Sequence, residues 1–106
     1  MKQKNTELAV VGMSCRFPGG ATTPDEFWSL LAEGRDAVTQ IDEKRWNMGL
    51  YYHPSPGEPG KTYTYSAGII DNVYDFTADF FGISRREAAQ IDPQQRLMLE
   101  LAWEAL

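Results

Sequence analysis

The hydrophobic pattern begins with a short apolar run that predicts a buried strand. Residues 8–13, Leu-Ala-Val-Val-Gly-Met, contain no polar side chain and include two β-branched residues. A run that is apolar on both faces is typical of a strand covered on both sides, as in the middle of a parallel sheet. The polar residues 1–7 before it are interpreted as a leader, and residues 14–21, with Pro18 and a Gly-Gly pair, as a loop.

A helix start follows this loop. Thr23 is a favourable N-cap residue, Pro24 suits the first helical position, and Glu26 can complete a capping box. Gly34 is placed to end the helix in a left-handed conformation. We therefore predict a helix over Pro24–Glu33, with one apolar face made by Phe27, Trp28, Leu30 and Leu31.

The middle of the chain is irregular. Residues 42–61 hold three prolines and three glycines, which predicts a surface loop. The same stretch holds three aromatic residues, Trp46, Tyr51 and Tyr52. Aromatic side chains indicate a loop that packs against other residues. Beyond it, Thr62–Ile70 predicts a strand and Asp71–Gly82 a packed turn.

The last part of the chain predicts two helices. Ser84 opens a short helix to about Gln90, and Asp92 with Pro93 opens a longer one. From Leu97 to Leu106 this longer helix is apolar in nearly every direction, which is typical of the interior of a large protein. It reaches the end of the sequence without a C-terminal glycine or basic residue.

We therefore hypothesise that residues 8–106 are the N-terminal part of a larger folding unit, truncated inside a helix. A cooperative melt of the monomeric chain, without dye-binding apolar surface, would contradict this hypothesis.

Length and charge narrow the function classes. A chain of 106 residues is one small domain or part of one. Its 15 acidic and 10 basic residues give a net charge of −5, which argues against non-specific nucleic-acid binding and against docking on anionic lipid. The sequence has no apolar stretch of about 18 residues and no targeting segment, so we expect a cytoplasmic protein without a membrane span.

Candidate chemistry is sparse. Cys15 is the only cysteine and His53 the only histidine, which excludes an internal disulfide and leaves too few ligands for a typical zinc site. We interpret Cys15 as a semi-buried structural residue, with a Cys15–His53 dyad as the open alternative. Gly12, Gly19 and Gly20 follow the predicted strand but lack the spacing of a dinucleotide or phosphate loop. The scattered carboxylates are interpreted as solvated faces and helix caps.

Several blocks of the sequence, in order, resemble the β-ketoacyl synthase domain of type I polyketide synthases. The blocks are Ala9–Gly20, Phe27–Leu31, Gly34–Ala37, Arg45-Trp46, Tyr51-Tyr52, Pro59–Tyr63, Phe80–Ser84, Arg86–Ala88, Asp92–Leu97 with Glu100, and Trp103–Leu106. The resemblance covers residues 8–106 almost completely. It implies the N-terminal, incomplete portion of an α/β, thiolase-like αβαβα condensing-enzyme fold.

The resemblance also implies a function. Such domains are acyltransferases of polyketide and fatty acid biosynthesis: a Cys accepts an acyl chain, and a malonyl-type extender on acyl carrier protein condenses with it in a decarboxylative Claisen reaction. Their substrates are carried on the phosphopantetheine of acyl carrier protein, so we expect no cofactor on this chain. A homodimer is expected for the full-length protein.

The nucleophile and the two catalytic His residues of the family match none of these positions. Cys15 falls in the opening block and His53 in a loop, so we assign no catalytic, cofactor-binding or metal-binding residue and expect the chain alone to be inactive. The alternative is a ketosynthase-like gate or scaffold domain that lacks the nucleophile. An independent small binding protein is a third interpretation, which the apolar last helix disfavours.

Overall fold

The computed structural model describes residues 7–106 and divides the chain into two compact units. One unit comprises Arg16–Asn72, and the other comprises Met1–Cys15 together with Val73–Leu106. The helices and strands, in chain order, are α1 (Pro24–Ala32), β1 (Val38–Gln40), α2 (Met48–Tyr51), β2 (Ser66–Gly68), a 3₁₀ helix (Ala78–Phe81), α3 (Arg85–Ala88) and α4 (Pro93–Glu104).

Helix α1 confirms the sequence prediction at both ends. The Thr23 side chain accepts a hydrogen bond from the Glu26 backbone N–H, and the Glu26 side chain accepts one from the Thr23 backbone, which makes a complete capping box. Gly34, one residue beyond the C-cap, has φ 62°, a conformation that favours glycine. Within this unit Leu30 is buried, and the Phe27 ring stacks on Phe17 with centroids 4.3 Å apart.

The sheet of this unit is a two-stranded antiparallel ribbon. Strand β1 pairs with β2 in the register Val38↔Gly68, Thr39↔Ala67 and Gln40↔Ser66. The strand predicted over Thr62–Ile70 is therefore confirmed only at its centre. Thr62 forms an isolated bridge with Tyr52 instead of extending the ribbon. Its N–H donates to the Tyr51 carbonyl, and its carbonyl accepts from the His53 N–H. Strand β1 escaped prediction because its three residues are all exposed and lack an apolar alternation.

The irregular stretch is a surface loop closed on itself, and it contains the one-turn helix α2. The Asn47 side chain caps α2 by accepting from the Leu50 N–H at 3.0 Å. Trp46 and Tyr51 pack edge to face with centroids 6.0 Å apart. The expected aromatic packing is thus confirmed, whereas α2 was not predicted, because four residues give no periodicity to detect.

The strand predicted for residues 8–13 is wrong for this structure. Residues 7–16 have no assigned secondary structure, and Leu8, Val10 and Val11 are 92%, 82% and 97% exposed. A strand forms only when a neighbouring backbone supplies its hydrogen bonds. In the described part of the chain, residues 8–13 have no such neighbour. The first six residues of the predicted leader lie outside the described residues.

The remaining elements belong to the same unit as residues 8–13. Phe76 stacks on Phe81 at 5.3 Å, which confirms the packed turn, and Gly82 ends the 3₁₀ helix at φ 67°. Ser84 caps α3, which is shorter than predicted. Asp92 caps α4 through the Gln94 N–H at 2.8 Å.

Helix α4 ends at Glu104, before the end of the sequence. Ala105 is its C-cap residue, and the Leu106 N–H donates to the Trp103 carbonyl to close the turn. None of its residues is buried, and Met98 and Trp103 are 64% and 60% exposed. The apolar surface that predicted an interior helix is therefore open in this chain.

Candidate functional site

Cys15 is separated from the exposed apolar segment, residues 8–13, by one residue, Ser14. It is half-buried and forms no disulfide. The preceding residue, Ser14, is held by its Oγ, which donates to the Leu101 carbonyl at 2.7 Å. This half-buried position matches the interpretation of Cys15 as a structural residue.

His53 forms hydrogen bonds with residues of its own loop. Its backbone N–H donates to the Thr62 carbonyl at 2.9 Å, and its ring Nδ1 accepts from the Ser55 N–H at 3.2 Å. The Nδ1 lone pair therefore accepts a hydrogen bond from a residue two positions along the chain. Nε2 is the ring nitrogen that this hydrogen bond does not involve. His53 and Cys15 belong to different compact units, and the Cys15–His53 dyad stays a hypothesis.

Glu26 is a carboxylate held by several hydrogen bonds at the start of α1. Its Oε2 accepts from Thr22 Oγ1 at 2.7 Å, from the Thr22 N–H at 2.8 Å and from the Thr23 N–H at 3.0 Å. The Thr22 hydroxyl, followed by the Thr22 and Thr23 backbone, lowers the pKa of this carboxyl below its usual value of 4.5. The group is a helix cap held in its charged form.

In the first loop, Gly19 packs against side chains, whereas a Cβ on Gly20 would meet nothing within 4 Å. A Cβ on Gly19 would lie 2.6 Å from Leu30 Cδ1 and 2.9 Å from Ala37 Cβ, and Gly19 has φ 82°. The loop needs glycine there to approach α1, which explains the residue without a phosphate ligand. No group of three or more His, Cys, Asp and Glu side chains within residues 7–106 could hold a metal ion.

One surface feature of the described residues is an apolar groove. An open groove of about 530 Å³ runs along α4, lined by Ile91, Gln94, Gln95, Met98 and Leu99. The sequence predicts the apolar helix but not the groove, because the groove depends on the position of Ile91 beside the first turns of α4.

Comparison with known proteins places these elements in a family. Residues 5–106 match the family described as Beta-ketoacyl synthase, N-terminal domain. The chain belongs to the β-ketoacyl synthase family. Its sequence relatives include the mycocerosic acid synthase-like polyketide synthase of Mycobacterium tuberculosis, 50% identical over 101 residues. A second relative is the phthioceranic/hydroxyphthioceranic acid synthase of the same species, 48% identical over 101 residues.

Solved ketosynthases share the fold. An oxazolomycin ketosynthase domain from Streptomyces albus superposes on 92% of this chain with a TM-score of 0.86 at 41% identity. The ketosynthase from module 6 of the Bacillus subtilis bacillaene synthase does so with a TM-score of 0.80 at 38% identity, also over 92% of this chain. The chain is thus the N-terminal portion of a thiolase-like ketosynthase fold, as the sequence predicted.

The match covers only a small part of each relative. With both mycobacterial synthases, 95% of this chain aligns to 5% of the relative's length. The chain spans 17% and 16% of the two solved ketosynthase chains.

Among residues 7–106, none of the helices has the length and hydrophobicity that crossing a bilayer requires.

Proposed function

We propose that this chain is the N-terminal segment of a condensing domain of a polyketide synthase. The observation that carries the proposal is the superposition of 92% of the chain on a ketosynthase domain with a TM-score of 0.86 at 41% sequence identity. In the complete domain a Cys thiolate displaces the carrier thiol from an acyl thioester. A malonyl-type extender then loses carbon dioxide, and its carbanion attacks the acyl-enzyme carbonyl and releases the Cys thiolate.

This segment provides scaffold for that reaction. The nucleophile and the two His residues that stabilise the enolate oxygen lie outside these 106 residues, and neither Cys15 nor His53 replaces them. The hydrogen bond from Ser55 to His53 Nδ1 and the half-buried position of Cys15 support structural roles for both. The 106-residue chain alone is therefore inactive in condensation.

We also propose the partners and the location of the complete domain, of which only the carrier protein and the thioesters follow from the reaction. The complete domain takes acyl and malonyl-type groups from the phosphopantetheine of acyl carrier protein, works as a homodimer in the cytoplasm, and binds neither nucleic acid nor membrane. The net charge of −5 supports the last part of this proposal.

A chimera tests the proposal directly. The whole chain replaces the matching N-terminal segment of the bacillaene module 6 ketosynthase, and acylation by a thioester substrate is followed by intact-protein mass spectrometry. We expect one acyl group per chimera, as in the unaltered recipient. A control chimera with the recipient's nucleophilic Cys changed to Ser should take up none.

Two results would contradict the proposal. A chimera that folds but is never acylated would show that this chain does not fit a condensing domain. Loss of acylation on Cys15→Ser alone, in a folded chimera, would make Cys15 the nucleophile. Sequencing the gene past the Leu106 codon distinguishes a condensing domain from the gate or scaffold alternative. The alternative requires that another residue replaces the nucleophilic Cys in the downstream sequence.

A further inference from the structure

His53 closes a tight turn through its imidazole ring. Its Nδ1 atom accepts from the backbone N–H of Ser55, two residues further along the chain, at 3.2 Å. Pro54 and Pro56 have no backbone N–H, so Ser55 carries the one backbone donor of residues 54–56. The imidazole therefore accepts the one backbone hydrogen bond that this Pro-Ser-Pro segment can donate.

The same kind of turn occurs elsewhere in the chain with a carboxylate as the acceptor. The backbone N–H two residues further along donates to the Oδ1 atoms of Asp36, Asp42 and Asp92, at 2.8–2.9 Å. In both residue types the acceptor atom is bonded to Cγ, so His53 does in its turn what aspartate does in the other three. The chemistry differs, because a carboxyl group keeps an acceptor oxygen when it is protonated, whereas Nδ1 accepts only while it carries no proton.

The base of this loop is closed by hydrogen bonds that do not involve the ring. The His53 N–H donates to the Thr62 carbonyl at 2.9 Å, and the Thr62 N–H donates to the Tyr51 carbonyl at 2.8 Å. Lys61 Nζ donates to the Leu50 carbonyl at 2.7 Å. Loss of the Nδ1 acceptor therefore releases the Pro-Ser-Pro segment and leaves the base of the loop closed.

We propose that His53 is a pH-sensitive latch: its neutral ring holds the turn over residues 53–55, and protonation of Nδ1 from solvent opens that turn. The added proton converts Nδ1 from an acceptor into a donor, so it faces the Ser55 N–H as a second donor and the hydrogen bond is lost. The neutral ring that the closed turn requires carries its proton on Nε2. The latch does not depend on the proposed condensing function.

The residue type of the latch sets its pH range. The other charged and titratable side chains of the loop and of the segments that close it are Tyr51, Tyr52, Glu58, Lys61, Tyr63 and Tyr65. Compared with these residue types, histidine alone ordinarily changes charge between about pH 5 and about pH 8. We therefore expect the turn to be closed at about pH 8 and open at about pH 5.

Hydrogen exchange of the Ser55 amide, measured by NMR in the 106-residue chain, tests the latch. The reference is His53→Asn, whose side-chain carbonyl accepts at every pH, and comparison at equal pH cancels the intrinsic pH dependence of exchange. We expect equal rates at about pH 8 and exchange about two- to tenfold faster in the natural chain at about pH 5. His53→Leu has no acceptor and should show the faster exchange, relative to His53→Asn, at both pH values.

Two results would overturn the latch. One is a rate ratio between the natural chain and His53→Asn that is the same at both pH values. The other is a neutral ring with its proton on Nδ1, which the nitrogen-15 chemical shifts of the imidazole distinguish from the Nε2 form.

The chimera with the bacillaene ketosynthase serves if the isolated chain does not fold. There exchange is followed by mass spectrometry, and a fragment that begins before His53 isolates Ser55 because the two flanking prolines carry no amide hydrogen. If the whole-chain chimera does not fold either, residues 51–62 alone are grafted into the matching loop of the recipient. In each protein, equal exchange in the natural sequence and in His53→Asn at about pH 5 would overturn the latch, whatever the acylation result.

Discussion

The fold lowers the pKa of the Glu26 carboxyl through hydrogen bonds from Thr22 and Thr23. The hydrogen bond from the Thr22 hydroxyl is the largest cause of its lowered pKa, so removing that hydroxyl should raise the value. We expect Thr22→Val to move the Glu26 titration, followed by carboxyl-carbon NMR, upward toward 4.5. Thr22→Ser keeps the hydroxyl and should leave it low, and equal titration of the two variants would contradict this account.

The same shift gives a pH dependence for helix α1. Because the folded pKa lies below the unfolded value of 4.5, the charged cap stabilises the fold fully above that value. The stabilisation is lost as the pH falls through the lowered, folded pKa. Unfolding midpoints measured from pH 7 to pH 3 should therefore fall less steeply for Glu26→Gln than for the natural chain.

Gly12 is a position where a single methyl group should matter. A Cβ there would collide with the Ala105 carbonyl oxygen, which is backbone and cannot swing away. We expect Gly12→Ala to cost about 1–3 kcal/mol in denaturant unfolding. Gly49→Ala, inside α2, is the matched control, because the Cβ there would meet only the Asn47 Oδ1 atom, at 3.4 Å. This substitution should be neutral or slightly stabilising. Equal effects would contradict the close approach.

Capping decides the elements that could be predicted. Thr23, Ser84 and Asp92 each cap the helix that the sequence predicts after them. These helix starts could be predicted because a cap is a hydrogen bond between residues no more than four positions apart. We expect Thr23→Ala to reduce the free energy of unfolding by about 1 kcal/mol and to speed amide exchange in the first turn of α1. Thr23→Ser keeps the acceptor and should change little, and an equal loss in both variants would exclude the cap as the cause.

Strands were harder to predict than helices for a physical reason. The pairing of Val38 with Gly68 joins residues thirty positions apart, so no local pattern specifies it. Residues 8–13 show the converse, since the apolar pattern is strong but the described chain offers no neighbouring backbone. In the candidate site, the sequence identified Cys15 and His53, but not the Ser55 hydrogen bond that occupies the His53 ring, because that bond depends on loop geometry.

At the scale of the whole molecule, the open face of α4 should respond differently in the chain and in a complete domain. Met98 is 64% exposed and lines the apolar groove, so Met98→Asp should change the stability of the isolated chain by less than about 1 kcal/mol. In the chimera with the bacillaene ketosynthase the same carboxylate would be buried without a partner, which costs several kcal/mol or prevents folding.

Met98→Leu separates the charge from the change of shape. Leucine keeps the apolar character and nearly the volume, so it should be tolerated in both proteins, at a cost below about 1.5 kcal/mol. Chemical unfolding of both variants in both proteins gives the four values needed. If Met98→Asp is tolerated in the chimera as well as in the chain, the groove along α4 remains open in the complete domain. The apolar surface of this helix would then serve some purpose other than joining the segment to the rest of the ketosynthase.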